Sequence, residues 1–214
     1  MKGKQFKTAQ EAQWHGSFGD EYTKRCDDYS FVAKRTGIFA KILSRTSDVD
    51  SVVEFGSNTG ANIFAIKRLL PNCGVTAIEI NKNAADLLKE RYETVYEDEI
   101  CVMNQSLLDF DINFQKKMSI VFGVLMILEP CMLRDVYQKL YDATSKYILI
   151  AEYYNPTPLE VAYRGGVLIK RDFAGEMLDM FSNLRLVDYG FVYHRDTCFP
   201  EGDITWFLLE KEKS

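Results

Sequence analysis

The amino-acid sequence predicts a doubly wound α/β fold: a seven-stranded, mostly parallel sheet with a C-terminal antiparallel hairpin, preceded by a helical N-terminal extension. Apolar strand-like runs alternate with runs of helical periodicity, a glycine-containing turn follows the first strand-like run, and nothing helical separates the last two such runs. Alternating strands and helices require a parallel sheet covered on both faces, with right-handed crossovers. The last two runs are therefore expected to pair antiparallel at one edge.

The predicted elements follow one another in a regular order after residue 46. Residues 29–45 repeat apolar side chains at roughly helical spacing and close the extension. The predicted strands lie within residues 51–55, 74–80, 99–105, 118–125, 146–154, 184–194 and 204–211. The predicted helices lie at 61–70, which Pro71 closes, at 81–93 with Asn81 as N-cap, at 132–144 and at 172–181.

Length and composition limit the classes of protein to consider. The 214 residues, 47% of them of apolar type, predict a single domain, 1–214, made of an extension at 1–46 and a core at 47–214. No run of eighteen apolar residues occurs, and the first residues are too polar for a signal peptide, so we expect a cytoplasmic protein that does not span a membrane.

Charge and cysteine content exclude further classes. A net charge of -5 argues against general binding to nucleic acid or anionic membranes, because phosphates are held chiefly by surplus Lys and Arg. The five cysteines have no C-x-x-C spacing and there are two histidines, which argues against a disulfide framework and against a metal site. The sequence carries no signal for the oligomeric state.

The turn after the first strand, in "VVEFGSNTGAN", predicts a ligand site. Gly56 and Gly60 let the backbone turn tightly and approach a ligand closely, at the sheet edge where open α/β folds bind ligands. The spacing is G-x-x-x-G, and Asn58 stands where a dinucleotide fold has its middle glycine. Pyrophosphate therefore fits this loop poorly.

Further residues at strand ends indicate the chemistry of the ligand. Glu54 would repel a phosphate but suits a ligand with an amino group and a positive sulfur. Glu79, with Ile80 beside it, ends the second strand, where a carboxylate can accept hydrogen bonds from both hydroxyls of a ribose. Ser106 and Leu107 follow the third strand and could flank an adenine ring.

Taken in this order, the acid, the glycine loop, the ribose acid and the adenine loop resemble the S-adenosylmethionine site of class I methyltransferases, whose fold is Rossmann-like. The alternative is an ordinary strand–turn–helix with structural glycines and a solvated Glu79. Two rival functions also stay open: an NAD- or nucleotide-binding protein of Rossmann type, and a non-catalytic partner that binds S-adenosylmethionine.

A narrower resemblance covers nearly the whole chain. The segments "EAQWHGSFGDEYTKR", "YILIAEYYNPTPLEVAYRG", "KRDFAGEML", "LVDYGFVYHRD" and "DITWFLLEK" are similar to the pseudaminic acid biosynthesis-associated methylases of bacterial surface-glycan pathways. This resemblance implies methyl transfer from S-adenosylmethionine to a small acceptor, a sugar or nucleotide-sugar. One feature departs from many small-molecule methyltransferases: Met126 and Ile127 stand after the fourth strand, where those enzymes carry a histidine.

The segment after the fifth strand supplies candidates for the acceptor side. Glu152, Tyr153, Tyr154 and Asn155 come at the carboxyl end of that strand and can wall a pocket. Glu152 and Tyr153 are candidate catalytic residues, together with His194 as a general base for a hydroxyl acceptor.

A basic group near the acceptor side suits an anionic, sugar-derived acceptor. Its candidate substrate-binding members are Arg164, Lys170, Arg171 and Arg195. Guanidinium groups bind carboxylates and phosphates in a bidentate manner. The alternative is a solvated basic surface paired with nearby aspartates.

The extension contains "QWHGSFGDEY", in which Trp14, Phe18 and Tyr22 alternate with Gly16 and Gly19. Aromatic cover and glycine hinges are typical of a lid over a cofactor. The alternative is a helix that simply docks on the domain.

Overall fold

The computed structural model describes residues 6–26, 29–96, 100–163 and 166–212. Its strands are β1 (Ser51–Phe55), β2 (Gly74–Ile78), β3 (Cys101–Met103), β4 (Lys116–Phe122), β5 (Thr144–Glu152), β6 (Leu159–Tyr163), β7 (Gly166–Lys170), β8 (Leu184–Val192) and β9 (Ile204–Lys211). Its helices are α1 (Ala9–His15), α2 (Ser17–Arg25), α3 (Tyr29–Leu43), α4 (Ala61–Leu69), α5 (Lys82–Tyr96), α6 (Leu133–Asp142) and α7 (Phe173–Met180).

Seven strands form one sheet in the order β3-β2-β1-β4-β5-β9-β8. The first five pair in parallel, and β9 is antiparallel to both β5 and β8. The predicted seven-stranded, mostly parallel sheet with a C-terminal antiparallel pair is confirmed. Because two antiparallel steps restore the direction, β8 runs parallel to β5, and its carboxyl end lies at the same sheet edge as those of β1 to β5.

The strands form because their apolar, β-branched residues fill two cores, one on each face of the sheet. In β1 every residue after Ser51 is buried. Val52 packs on the face covered by α3 and α4, whereas Val53 and Phe55 pack on the face covered by α6 and α7. Burial on both faces is typical of the central strands of a parallel sheet.

Two helices begin at side chains that cap them, and the sequence predicted the first of these caps. Asn81 accepts a 2.9 Å hydrogen bond at Oδ1 from the N–H of Ala84, so it is the N-cap of α5 as predicted. Asp172 caps α7 in the same way, through a 2.8 Å bond from the N–H of Gly175. These bonds satisfy backbone donors that the first turn of a helix leaves unpaired.

A two-stranded sheet formed by β6 and β7 is absent from the sequence prediction, which assigned this segment to a pocket wall and a basic group. The strands pair antiparallel from Leu159 opposite Lys170 to Tyr163 opposite Gly166. The signal was present, because the Gly165-Gly166 pair stands between two short runs that contain Val161 on one side and Val167 and Ile169 on the other. Across the described ranges, no helix combines the length and the apolar character that crossing a membrane requires.

Candidate functional site

A cavity of about 220 Å³ lies between the carboxyl ends of β1, β2 and β4 and the N-terminal extension. Seven residues that the sequence assigned to a cofactor lie on its wall: Glu54, Gly56, Asn58, Glu79, Ile80, Ser106 and Leu107. The extension contributes the opposite wall through Gln10, Glu11, Trp14, Tyr22, Thr23, Phe31 and Arg35. The parallel topology therefore gathers strand-end residues that are far apart in the sequence, and the extension covers them.

Both glycines of the loop after β1 adopt a left-handed backbone. Gly56 has a φ of 80°, and an added Cβ would lie 2.5 Å from Cγ2 of Val124. Gly60, with a φ of 83°, precedes α4, and an added Cβ would clash with Leu88 of α5. Gly60 is not among the residues on the cavity wall. Gly56 therefore shapes the wall directly, whereas Gly60 lets α4 and α5 pack closely.

Glu54 is a buried carboxylic acid on the cavity wall, with 1% of its surface exposed. Its Oε1 accepts a 2.5 Å hydrogen bond from Nδ2 of Asn62, in the first turn of α4. Within the described ranges its Oε2 has no hydrogen-bond partner. Burial raises the pKa of Glu54 to about 8, although the Asn62 bond and the charge of Arg35 favour the carboxylate. A cationic ligand beside Oε2 would restore the charged form.

Arg35 of α3 is the buried cation of the cavity wall. Its guanidinium carbon lies 3.5 Å from the ring centroid of Phe122, and its Nη2 lies 3.3 Å from Oε2 of Glu201. Its Nε and Nη1 are buried without a hydrogen-bond partner among the described residues. Burial lowers the pKa of Arg35, and the charge of Glu201 opposes that shift. Two donors of this guanidinium are thus unpaired, in a residue that lines the cavity.

Buried polar atoms without a hydrogen-bond partner concentrate at this cavity. In the part of the chain that the structure describes, they belong to Gln10, Arg35, Glu54, Asn62 and Glu201, and all five residues line the cavity. Buried polar groups in proteins are nearly always paired, so such a set indicates a polar ligand. The free oxygens of Glu54 and Asn62 suit an amino group, and the free donors of Arg35 suit a carboxylate.

Glu79 is held by the backbone of two asparagines. Its Oε2 accepts the N–H of Asn58 at 2.7 Å, and its Oε1 accepts the N–H of Asn81 at 2.8 Å. Burial raises its pKa, and these backbone bonds oppose the shift. A carboxylate has about four acceptor positions, so two remain for hydroxyl groups in the cavity.

The loop after β3 meets the extension at Ser106. The hydroxyl of Ser106 donates to Oε1 of Glu11 in α1 and accepts a 3.0 Å bond from the N–H of Leu108. The other oxygen of Glu11 accepts the backbone N–H groups of Lys7 and Thr8, at 2.6 and 3.2 Å. The loop proposed for adenine is therefore joined to the start of the extension.

Glu152, a candidate catalytic residue, is buried behind the cavity wall and is not one of its lining residues. Its Oε1 accepts the N–H groups of Val124 and Leu125 at 2.8 and 2.9 Å. Burial raises the pKa of Glu152 to about 7, and the backbone donors oppose that shift. The carboxyl group thus holds the segment after β4, which lines the cavity through Gly123 and Val124.

The other two candidate catalytic residues lie near Glu201, beside the cavity. Oδ1 of Asp203 lies 2.9 Å from Nδ1 of His194. An added Cβ on Gly202 would lie 3.0 Å from the hydroxyl of Tyr153. Lys170 Nζ lies 5.0 Å from the ring centroid of Tyr153. The connection between β8 and β9 therefore brings Tyr153, Lys170 and His194 into one neighbourhood.

None of the described catalytic or substrate-binding candidates, Lys170 included, lines the cavity. Tyr154 packs on Phe207, with ring centroids 5.7 Å apart, and Arg171 pairs with Glu176 of α7 at 2.5 Å. Asn155 donates a 2.5 Å bond to the carbonyl of Thr157, and Arg195 is exposed. Arg164 lies outside the described residues.

Sequence reasoning missed several cavity residues. Asn62 could have been found, because the first turn of a helix after a glycine loop faces the same ligand as the loop. Arg35 and Glu201 are at opposite ends of the chain, in an ordinary amphipathic helix and in a loop between two strands. No local pattern marks either residue.

No protein-family model matches the sequence, and comparison with curated proteins gives no significant match. Solved structures do match. The glycopeptide N-methyltransferase MtfA, complexed with S-adenosylmethionine, has a TM-score of 0.65 at 13% identity, covering 84% of this chain and 95% of its own. The magnesium protoporphyrin IX methyltransferase of Synechocystis PCC 6803, with bound S-adenosylmethionine, has a TM-score of 0.67 at 12% identity, covering 99% and 100%.

A third similar structure is the N-methyltransferase NodS of Bradyrhizobium japonicum WM9, in complex with S-adenosylhomocysteine. Its TM-score is 0.67 at 18% identity, covering 88% of this chain and 91% of its own. At such identities the likeness establishes the fold, which is the Rossmann-like fold of class I methyltransferases.

Proposed function

We propose that the protein is an S-adenosylmethionine-dependent methyltransferase that acts on a small-molecule acceptor. The observation that carries the proposal is the set of unpartnered buried atoms at the cavity: free oxygens on Glu54 and Asn62, and free donors on Arg35. Together they match the amino and carboxylate groups of an α-amino acid. The fold supports it, since the neighbours named above hold S-adenosylmethionine or S-adenosylhomocysteine.

The wall residues divide between the parts of this cofactor. Glu54 and Asn62 take the amino group, Arg35 takes the carboxylate, and Glu79 takes the ribose hydroxyls. The groups that flank the cofactor are Gly56, Asn58, Ile80, Ser106 and Leu107, and Gly60 lets the loop fold beneath them. When bound, S-adenosylmethionine supplies an electrophilic methyl group on a positive sulfur. Dinucleotide binding is disfavoured by Asn58 at the middle glycine position and by the buried acid at Glu54.

The chain's task is to align the acceptor and exclude water. Displacement at a sulfonium methyl removes a positive charge, so correct alignment matters more than a strong base. Trp14, Phe31 and Phe122 give the cavity apolar walls that exclude water. Among the described wall residues there is no histidine. Because alignment matters more than a strong base, this absence and that of a histidine after β4 do not argue against methyl transfer.

We place the acceptor beside Glu201, where Tyr153, Lys170 and His194 lie. Lys170 can attract an anionic group of the acceptor, and His194, oriented by Asp203, can accept its proton. Resemblance to the pseudaminic acid biosynthesis-associated methylases supports a sugar or nucleotide-sugar of bacterial surface-glycan biosynthesis. The fold neighbours do not choose the acceptor, because their names give acceptors as different as a glycopeptide and magnesium protoporphyrin IX.

Ligand-dependent melting tests the cofactor assignment. A ligand that binds the native state alone raises the melting temperature. We expect S-adenosylhomocysteine to raise it and NAD to leave it at the value in buffer. A shift with NAD alone would replace the proposal with a nucleotide-binding function.

Methyl transfer is then measured with labelled S-adenosylmethionine and a panel of amino sugars and nucleotide sugars. Label on an anionic member of the panel supports the proposed acceptor class. Binding of S-adenosylhomocysteine without label on any member would favour a different acceptor or a non-catalytic partner.

A further inference from the structure

Two separate chains of hydrogen bonds, called the first and the second arm, link helix α2 to the carboxylate of Glu79. In the first arm, Thr23 Oγ1 donates to Oδ1 of Asn58 at 3.2 Å, and the N–H of Asn58 donates to Oε2 of Glu79 at 2.7 Å. In the second, Asn81 Nδ2 donates to Oδ1 of Asp20 at 2.9 Å, and the N–H of Asn81 donates to Oε1 of Glu79 at 2.8 Å. Each carboxylate oxygen is thus held by an asparagine that binds α2 through its side chain.

The second arm has little freedom to move. Asn81 is 3% exposed, and its Oδ1 caps α5 through the N–H of Ala84. Its Nδ2 also donates to the carbonyl of Trp14 at 3.2 Å. Gly19 brings α2 so close that an added Cβ would lie 2.7 Å from Nδ2 of Asn81. All the side-chain hydrogen-bonding atoms of Asn81 are therefore engaged while α2 is docked.

The first arm depends on an unusual backbone. Asn58 has a φ of 45°, in the left-handed region that non-glycine residues rarely adopt. This conformation directs its N–H to Glu79 while its side chain meets Thr23. The hydrogen bond from Thr23 helps to hold Asn58 in that conformation.

We propose that Asp20 and Thr23 are positioning residues for ribose recognition, acting through Asn81 and Asn58 on the carboxylate of Glu79. With both oxygens of Glu79 fixed by backbone donors, the remaining acceptor positions are oriented for the two ribose hydroxyls. Docking of α2 and recognition of the ribose are then coupled, and the coupling is reciprocal. The inference rests on the proposed function, because it assumes that Glu79 receives an adenosyl ribose.

A cycle of two proteins and two ligands tests the coupling by isothermal titration calorimetry. The ligands are S-adenosylhomocysteine and its 2′-deoxy analogue, and the proteins are the wild type and the double variant Asp20→Ala/Thr23→Val. We expect the wild type to bind the intact ribose about tenfold or more tightly than the deoxy analogue, as for a hydrogen bond to a charged acceptor. In the double variant this preference should fall toward unity.

Matched variants separate positioning from general packing. Glu21→Ala removes an exposed side chain from the same helix and should leave the preference unchanged. Asp20→Asn/Thr23→Ser keeps an acceptor oxygen and a hydroxyl in place and should restore it. Circular dichroism of each variant verifies that the fold is intact.

The outcomes distinguish the two proposals. If the wild type does not bind S-adenosylhomocysteine, the proposed function fails. If it binds and prefers the intact ribose, but the double variant loses affinity equally for both ligands, α2 is only a cover and the positioning role is overturned. No ribose preference in the wild type also overturns it.

A reciprocal measurement covers the case in which the double variant does not fold. In Glu79→Gln, amide hydrogen exchange of residues 17–25 should be faster than in the wild type. The amide offers one neutral oxygen where the carboxylate offers two charged ones, so one arm loses its acceptor and the other keeps a weaker one. Unchanged exchange there would overturn the coupling.

Discussion

Asn62 donates a 2.5 Å hydrogen bond to Oε1 of Glu54, while Oε2 of Glu54 and Oδ1 of Asn62, in two residues that line the cavity, are buried without a partner among the described residues. The two residues join the end of β1 to the first turn of α4, across the glycine loop. Their free oxygens form a pair of acceptors, and burial raises the pKa of Glu54 to about 8. Protonation of Glu54 is therefore expected to be linked to ligand binding.

S-adenosylhomocysteine should bind more tightly as the pH rises from 6 toward 8. In the ligand-free protein Glu54 is protonated below its pKa of about 8, whereas the ligand's ammonium group favours the carboxylate. Binding then releases a proton, and the affinity rises by up to about tenfold per pH unit. Calorimetry at pH 7 in two buffers of different ionisation enthalpy measures the release, which Glu54→Gln should abolish. Equal proton release by both proteins would contradict the assignment.

The same pKa predicts the direction of a stability change without ligand. The ordinary value is 4.5 and the folded value is about 8, so between these pH values the native state binds a proton that the unfolded chain lacks. The contribution of Glu54 to the free energy of unfolding is therefore present at low pH and is lost as the pH rises through about 8. The free energy of unfolding, measured with urea, should therefore decline less steeply from pH 5 to 8 in Glu54→Gln than in the wild type.

Arg35→Met should weaken binding of S-adenosylhomocysteine by about 10- to 100-fold, because the carboxylate loses charged donors. Binding of 5′-methylthioadenosine, which lacks the amino-acid part, should change little. Arg45→Ala, which removes a more exposed arginine, serves as the control. An equal loss of affinity for both ligands would mean that Arg35 shapes the cavity and does not bind the carboxylate.

Gly56→Val should abolish binding of S-adenosylhomocysteine while the far-ultraviolet circular dichroism stays native. The φ of 80° disfavours a branched residue, and the added side chain would displace Val124 from the cavity wall. Gly74→Val is the matched control, since an added Cβ there meets only the carbonyl of Asp50 at 3.8 Å. Wild-type affinity in Gly56→Val would make the loop purely structural.

Glu152→Ala should lower the free energy of unfolding by about 1–3 kcal/mol, since the backbone N–H groups of Val124 and Leu125 would lose their buried acceptor. The segment after β4 should become looser, with weaker binding of S-adenosylhomocysteine. Urea unfolding and calorimetry measure the two effects. Glu90→Ala, on the exposed face of α5, is the control. Native stability with loss of turnover alone would instead support a catalytic role for Glu152.

The sequence by itself determined the order of the seven strands of the main sheet and of the helices between them, the cap at Asn81, and the strand-end residues from Glu54 to Leu107 that line the cavity. These features depend on local periodicity, on turn and cap chemistry, and on the rule that parallel strands end at one edge. Each can be recognised within a window of a few residues.

Only the tertiary structure decided which distant residues meet at the cavity. Arg35 and Glu201 come together because α3 and the connection between β8 and β9 both pack at the carboxyl edge, where Phe199 lies against Gly37. Glu152 ends β5, which lies between β4 and β9. Its carboxyl group binds the segment after β4, and its position in the sequence does not reveal which of the two neighbours it meets. Contacts between residues so far apart leave no periodic or turn signal, because they depend on how whole elements pack and not on the conformation of one segment.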